Sequence, residues 1–222
     1  IQKAYNLIKT INLDLLPNKE HVVYFEIIEL NYLLSTFKLS EVCELKKILI
    51  EKSTIFPNYL LEKTDIFCLV LENKLAEANL LNSLLKDSEV STDVTFQKLF
   101  EYMILENKDE INLTPINLIN SKDLIFLYSA MLRINDLPLT EDFINIDPLN
   151  LSIPVILSDS TPMSIRIKAA NKSFSDEVIS SESLSALYQS ADFNSKQFNN
   201  PETTIENLNN NNELIMAFYY QL

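Results

Sequence analysis

Few residues in this chain of 222 are equipped for chemistry: there is one histidine, there are two cysteines, and glycine and tryptophan are absent. His21 is the only imidazole, so an HExxH zinc site and any two-histidine ligand set are excluded, and a Ser or Cys triad would have to use this one ring. It stands among Glu20, Val22 and Val23, with no Cys, Asp or Glu at a ligand or triad spacing that singles it out. It reads as a surface or packing residue. Glu26 with Glu29, and Glu41 with Glu44, fall on one side of a helix each, the pattern of a solvated face. An acid/base dyad for glycoside hydrolysis needs two carboxyls held across a cleft, which spacing alone does not supply. Cys43 and Cys68 lack the CxxC spacing of metal and redox sites. Each lies in an apolar helical pattern and is expected to be a buried thiol acting as a small hydrophobe. A disulfide between neighbouring helices is the alternative in an oxidising compartment. No catalytic, cofactor-binding or metal-ligating residue is assigned, and no cofactor is expected.

The missing glycine removes whole mechanisms. At the usual frequency of ~7% a chain of this length would carry roughly 15 glycines. A Walker P-loop, a Rossmann GxGxxG turn, a GxSxG nucleophile elbow and an EF-hand loop each need glycine where a side chain cannot fit, so none is present.

The elements that would carry these residues are helices. Val23, Ile27, Leu30, Leu34 and Phe37 recur in alternating steps of four and three, which lays an apolar stripe along residues 19–37. Val22, Phe25, Ile28 and Leu33 broaden that stripe beyond one face, so this helix needs neighbours on more than one side. Val42, Leu45 and Leu49 predict a helix over 39–53. Leu60, Phe67 and Leu71 predict one over 58–72, and Leu75, Ala78, Leu81 and Leu85 one over 74–87. Short turns between them make antiparallel neighbours. Only Leu149 to Leu157, with Pro154 inside, could be extended, and it reads equally well as a broken helix.

Helix starts are marked by side chains able to accept from unpaired backbone N–H groups. They are Asn58 after Pro57, Ser91 and Thr92 before Asp93, Ser121 before Lys122, and Ser180 to Ser183 before Leu184, Leu187 and Tyr188. Thr114-Pro115, Thr161-Pro162 and Asn200-Pro201 have proline directly after the cap, where its missing N–H costs nothing. At helix ends, where the backbone often turns left-handed, asparagine is the next best tolerated residue after glycine. Asn73, Asn107, Asn135 and Asn171 are expected there, and Asn209 to Asn212 form a loop before the last helix.

Residues 37–53 align without a gap on residues 73–89. Lys38, Leu39, Glu41, Leu45 and Leu49 are identical to Lys74, Leu75, Glu77, Leu81 and Leu85, and Val42 stands opposite Ala78. LENK recurs at 71–74 and 105–108. Offsets of 36 and 34 residues, each spanning two helices, are the signature of a helical-hairpin array. The stretch from Leu69 to Ser88 resembles the second half of a tetratricopeptide-type repeat, with a turn at Asn73-Lys74 and the small Ala78 where two helices cross. It lacks that family's tryptophan and glycine in the first helix and the proline after the second. Asp65 to Phe100 also resembles bacterial helical-repeat proteins. The TPR-like resemblance covers roughly residues 19–110 and implies an α-solenoid.

Ser181-Glu182-Ser183-Leu184 superficially resembles the Glu-Ser dipeptide of soluble lytic transglycosylases, which join a helical solenoid to a catalytic domain. The glycine-bearing motifs that follow in that family cannot exist here, and the assignment is rejected.

The net charge is -13, and residues 1–111 and 112–222 are both acidic. No Lys/Arg stripe is available to displace counterions from phosphate, which excludes nucleic acid as a partner. The acidity serves solubility by self-repulsion, and a basic protein partner is the alternative reading. The longest apolar run, Leu214 to Tyr220, is far below the ~20 residues that span a bilayer, so no membrane insertion is expected. The chain opens on Ile1 and stops in an apolar run, so a leader or further domains are expected outside it.

The expectation is an all-α chain of stacked antiparallel hairpins, a TPR-like α-solenoid with little or no sheet. It would form one repeat region over 1–222 with a sub-boundary near 136–160. Its expected role is that of a non-enzymatic scaffold or protein–protein interaction module, in the cell envelope in preference to the cytoplasm. The alternatives are an accessory solenoid of a larger enzyme and a structural subunit of a multiprotein assembly.

Overall fold

A computed structural model describes residues 1–52, 58–88, 93–105 and 122–222. Of these, 77% are helical, and there is no strand among them. The chain divides into two compact units, Ile1–Asn135 and Asp136–Leu222.

The first unit contains α1 (Gln2–Ile8), α2 (Lys19–Ser35), α3 (Leu39–Lys52), α4 (Asn58–Leu71), α5 (Leu75–Ser88), α6 (Val94–Ile104) and α7 (Ile125–Ile134). The spacing of apolar residues thus located α2 to α5 to within two residues at each end. Helix α2 has neighbours on several sides, α1, α3 and α7, as its broad stripe required. The most deeply interior helix is α7, in which every residue from Ile125 to Leu132 is buried. A helix apolar all round must be enclosed, and α7 packs back on α2 as well as on its neighbour α6.

Within the two aligned stretches, the described residues 37–52 and 73–88 share several local features. Phe37 and Asn73 both have φ 60°. The Lys38 and Lys74 amides reach back to Leu33 O (2.9 Å) and Leu69 O (2.8 Å), closing α2 and α4 in the same way. Val42 and Ala78 are both fully buried, Leu49 and Leu85 are core residues, and Ile48 and Leu84 are both exposed.

The second unit contains α8 (Glu141–Ile146), α9 (Pro148–Ile156), α10 (Met163–Ser175), α11 (Ser181–Gln189), α12 (Ser195–Asn199), α13 (Pro201–Asn207) and α14 (Asn212–Gln221). Residues 149–156 are therefore helix, with Pro154 in the last turn of α9 and Leu157 as its cap. Ile167, Ala170, Leu187, Tyr188 and Ala217 form the centre, where alanines on α10 and α14 leave room for the Tyr188 ring. Gln221 on α14 donates to the carbonyls of Tyr188 (2.7 Å) and Ala191 (2.9 Å), satisfying the open end of α11.

The helix ends differ in part from expectation. Asn73 takes the left-handed conformation, but Asn135 has φ -97° and the left-handed residue is Asp136. Asn171 lies inside α10, whose end is closed instead by Glu177 at φ 56°, with the Val178 amide bonded to Ser173 O (2.8 Å). Thr161 does not cap α10: its hydroxyl accepts from the Leu139 amide (2.9 Å), and Pro162 takes the cap position. Asn200 precedes α13 without a side-chain cap bond. Ser180 and Asn211 cap α11 and α14 by accepting from Ser183 N and Leu214 N, and Asp93 itself caps α6. The starts at Ser91-Thr92, Thr114-Pro115 and Ser121, the end at Asn107 and the second LENK beyond Leu105 lie outside the described residues, as does Pro57.

The expectation of two free buried thiols is corrected. Helices α3 and α4 run side by side with the Cys43 and Cys68 Cα atoms 5.5 Å apart, and the two residues form a disulfide. Both cysteines remain buried.

Two predictions follow from these local features. Closing a loop across 25 positions restricts the unfolded chain, so Cys43→Ala/Cys68→Ala lowers the unfolding free energy by about 3 to 4 kcal/mol. Urea denaturation measures this, and an unchanged midpoint contradicts it. Glu177→Gly acts in the opposite direction by about 0.5 to 1 kcal/mol, because relief of a left-handed Cβ outweighs the entropy glycine carries when unfolded. A lower midpoint for that variant would refute the strain at this turn.

Candidate functional site

The residues singled out for chemistry are dispersed. His21 is exposed near the start of α2, and the Glu29 carboxylate pairs with Lys9, the residue that ends α1. Glu41 is exposed and pairs with Lys38 (3.1 Å), and Glu44 is also exposed. Glu182 occupies the first turn of α11, where its own backbone N–H and the Ser180 and Ser181 hydroxyls hold its carboxyl below the ordinary range. A general acid needs the opposite shift. Among the described residues no three His, Cys, Asp or Glu side chains converge as a metal would require.

What the fold does bring together is a set of buried polar groups in the first unit. The Lys46 ammonium of α3 meets Asp65 of α4 at 2.5 Å. Two residues earlier on α4, and so on its other side, Lys63 meets Asp93 at 3.0 Å and lies 5.5 Å from the centre of the Phe96 ring. Asp93 also receives the Phe96 amide (3.1 Å) and the hydroxyl of fully buried Tyr128 on α7. Burial alone would raise the Asp93 carboxyl, but the bonds from Tyr128, Phe96 and Lys63 outweigh it and hold the group below its usual value. On α5 and α6 the amides of Asn82 and Gln97 exchange two hydrogen bonds of 2.9 Å each. In the turn between α4 and α5 Glu72 binds Lys74 (2.6 Å) and Lys47 of α3 (3.2 Å), which hold its carboxyl down to about 2.

None of these interior residues was singled out from the sequence, although a signal was there. Lys46 lies four residues after Val42 and three before Leu49, Lys63 three after Leu60 and four before Phe67, and Asn82 four after Ala78 and three before Leu85. Each polar residue occupies a position where the helical period demands burial.

These cross-links tie α4 to α3 and α6, and α5 to α6, and a groove lies between α4 and α5. Glu62, Asp65 and Ile66 form one wall, and Leu81, Leu84 and Leu85 the other, around about 310 Å³. Ile66 and Leu85 are its buried floor. Leu84 stands at the lip, 55% exposed, with Leu80 one turn away at 62%. Asp65 is neutralised by Lys46, whereas the exposed Glu62 carboxylate makes no ion pair among the described residues. The volume is at the small end of the ~300–1,000 Å³ that enclose small ligands. An open apolar trough with one unpaired charge can accept side chains presented by another chain.

A second depression, in the other unit, is lined by Asn145, Pro148, Lys168, Asn171 and Lys172. Its two cations are already engaged, Lys168 with Glu141 (2.5 Å) and Lys172 with Asp176 (3.2 Å).

No protein-family model, no curated protein and no solved structure matches the chain.

The buried pairs make a definite energetic prediction. Lys63→Met leaves Asp93 without its ammonium partner and costs about 3 kcal/mol of stability, part of which Asp93→Asn restores in the double variant. Denaturation of the four chains checks this, and strictly additive losses would show that the two groups do not depend on each other.

Proposed function

We propose that this chain is a non-enzymatic protein–protein interaction module, a TPR-like scaffold of α-solenoid type whose stacked helical hairpins present surface to another protein. The observation that carries the reading is the apolar row on α5. Leu80 and Leu84 are separated by one helical turn, both are more than half exposed, and Leu84 lines a groove whose floor is already packed. Scattered exposed leucines are ordinary, but a row continuous with a recess is the form that docking surfaces take. The rigid frame below it also supports this reading, because ordering costs little when the receiving surface is held before binding.

The Cys43–Cys68 bridge supports a location in an oxidising compartment, the cell envelope in preference to the cytoplasm. No helix among the described residues is long and apolar enough to cross a membrane.

The test is affinity purification from the native cell with the full chain and with a Leu80→Ser/Leu84→Ser variant of unchanged circular dichroism. A protein retained by the first and lost from the second is expected. Equal retention by both, or no specific protein on either, overturns the reading.

A further inference from the structure

We infer, resting on that docking reading, that the occupant of the α4–α5 groove is a cationic amphipathic helix of a partner protein. Its apolar stripe would pack on Leu80, Leu81 and Leu84, and a Lys or Arg on its flank would meet Glu62. The apolar half follows from the shape. Leu80 and Leu84 form an i, i+4 ridge beside a depression, the arrangement into which the side-chain rows of a second helix pack. This surface is particular to α5. In the matched stretch of α3 the residue corresponding to Leu80 is Glu44, which faces solvent, so the same position on the neighbouring hairpin carries a charge.

The charge of the occupant follows from what covering the groove does to its two carboxylates. Asp65 keeps Lys46 at 2.5 Å and loses little when water is displaced. Glu62 has no such partner among the described residues, and a lid that removes its water without supplying a cation leaves an unpaired charge under cover. A neutral apolar helix is therefore penalised, and an acidic one is repelled. A second copy of this chain is disfavoured for the same reason, because each copy carries a net charge of -13. That field also draws cationic segments toward the surface.

The probes are three synthetic helical peptides with one identical leucine stripe, flanked by lysine, glutamine or glutamate, titrated against the full chain by fluorescence anisotropy. The lysine-flanked peptide is expected to bind most tightly, with affinity falling as salt is raised. Glu62→Gln, a surface change, weakens it about threefold while leaving the glutamine-flanked peptide unaffected or improved. Leu84→Ser weakens every peptide by about tenfold. Equal affinity for the three flanks, indifference to Glu62→Gln, or no binding by the lysine-flanked peptide overturns the inference. The two readings are separable: if a native partner depends on Leu80 and Leu84 but not on Glu62 or salt, the docking reading stands and the cationic flank alone is wrong, whereas a partner indifferent to Leu80 and Leu84 overturns the docking reading itself.

Discussion

The first unit is organised by the need to compensate two lysines that the helical period drives inward. Lys46 and Lys63 are only 5% and 3% exposed. An ammonium so placed is tolerated only against a carboxylate with good geometry. Lys46 therefore fixes α3 on Asp65 of α4, and Lys63 fixes α4 on Asp93 at the first turn of α6. Asp93 is at once counter-ion, helix cap and acceptor for Tyr128, so one carboxylate sets how α4, α6 and α7 meet. A hydrophobic contact tolerates sliding, whereas these contacts do not. The disulfide then ties α3 and α4 at a second point, and the pair has little freedom to shift register.

Lack of glycine places a different demand on the chain. Among the described residues six with a Cβ adopt positive φ, and three of them, Phe37, Asp136 and Glu177, are not asparagine. The amides that follow Phe37 and Glu177 bond back to Leu33 O and Ser173 O and hold those two turns, and Phe37 has additional support because the Arg133 guanidinium stacks 4.3 Å above its ring while donating to Ser35 O. Tertiary contact from α7 thus closes the end of α2. The end of a helix in this protein is a property of what packs on it as much as of the residue that occupies it.

That dependence explains which features were legible in the sequence. Helices α2 to α5 were, because a regular apolar spacing declares a buried face whatever lies opposite. Asn73 was legible because its turn is closed locally. Asn135 and Asn171 misled, since the turn beyond α7 fell one residue later and α10 continued through Asn171 to bury Ala169 and Ala170 below it. Thr161 misled because a loop amide, Leu139 N–H, competed for its hydroxyl. The cysteines were placed correctly in helices but given the wrong chemistry, because periodicity reports that each is buried and says nothing of which residue faces it. The groove was hidden for a related reason: Leu81, Leu84 and Leu85 all satisfy a core pattern, and only the position of α4 decides that Leu84 stays outside.

The two aligned stretches show how an exposed position can change character without disturbing the frame that supports it. Lys46 and Asn82 occupy corresponding positions, and both are buried and paired, one with a carboxylate on α4 and the other with an amide on α6. Glu44 and Leu80 also correspond, yet both are exposed and carry opposite character. The interior position constrains its residue, since any polar group there must find a partner or cost stability. The exterior position imposes no such condition and is free to become apolar. Once it does, the solubility lost locally is offset by the acidity of the whole chain, and in the proposed docking the carboxylate beside the apolar row would be the group that discriminates between ligands. Burial fixed the frame of the hairpin, and the unconstrained outer row is where binding specificity could arise.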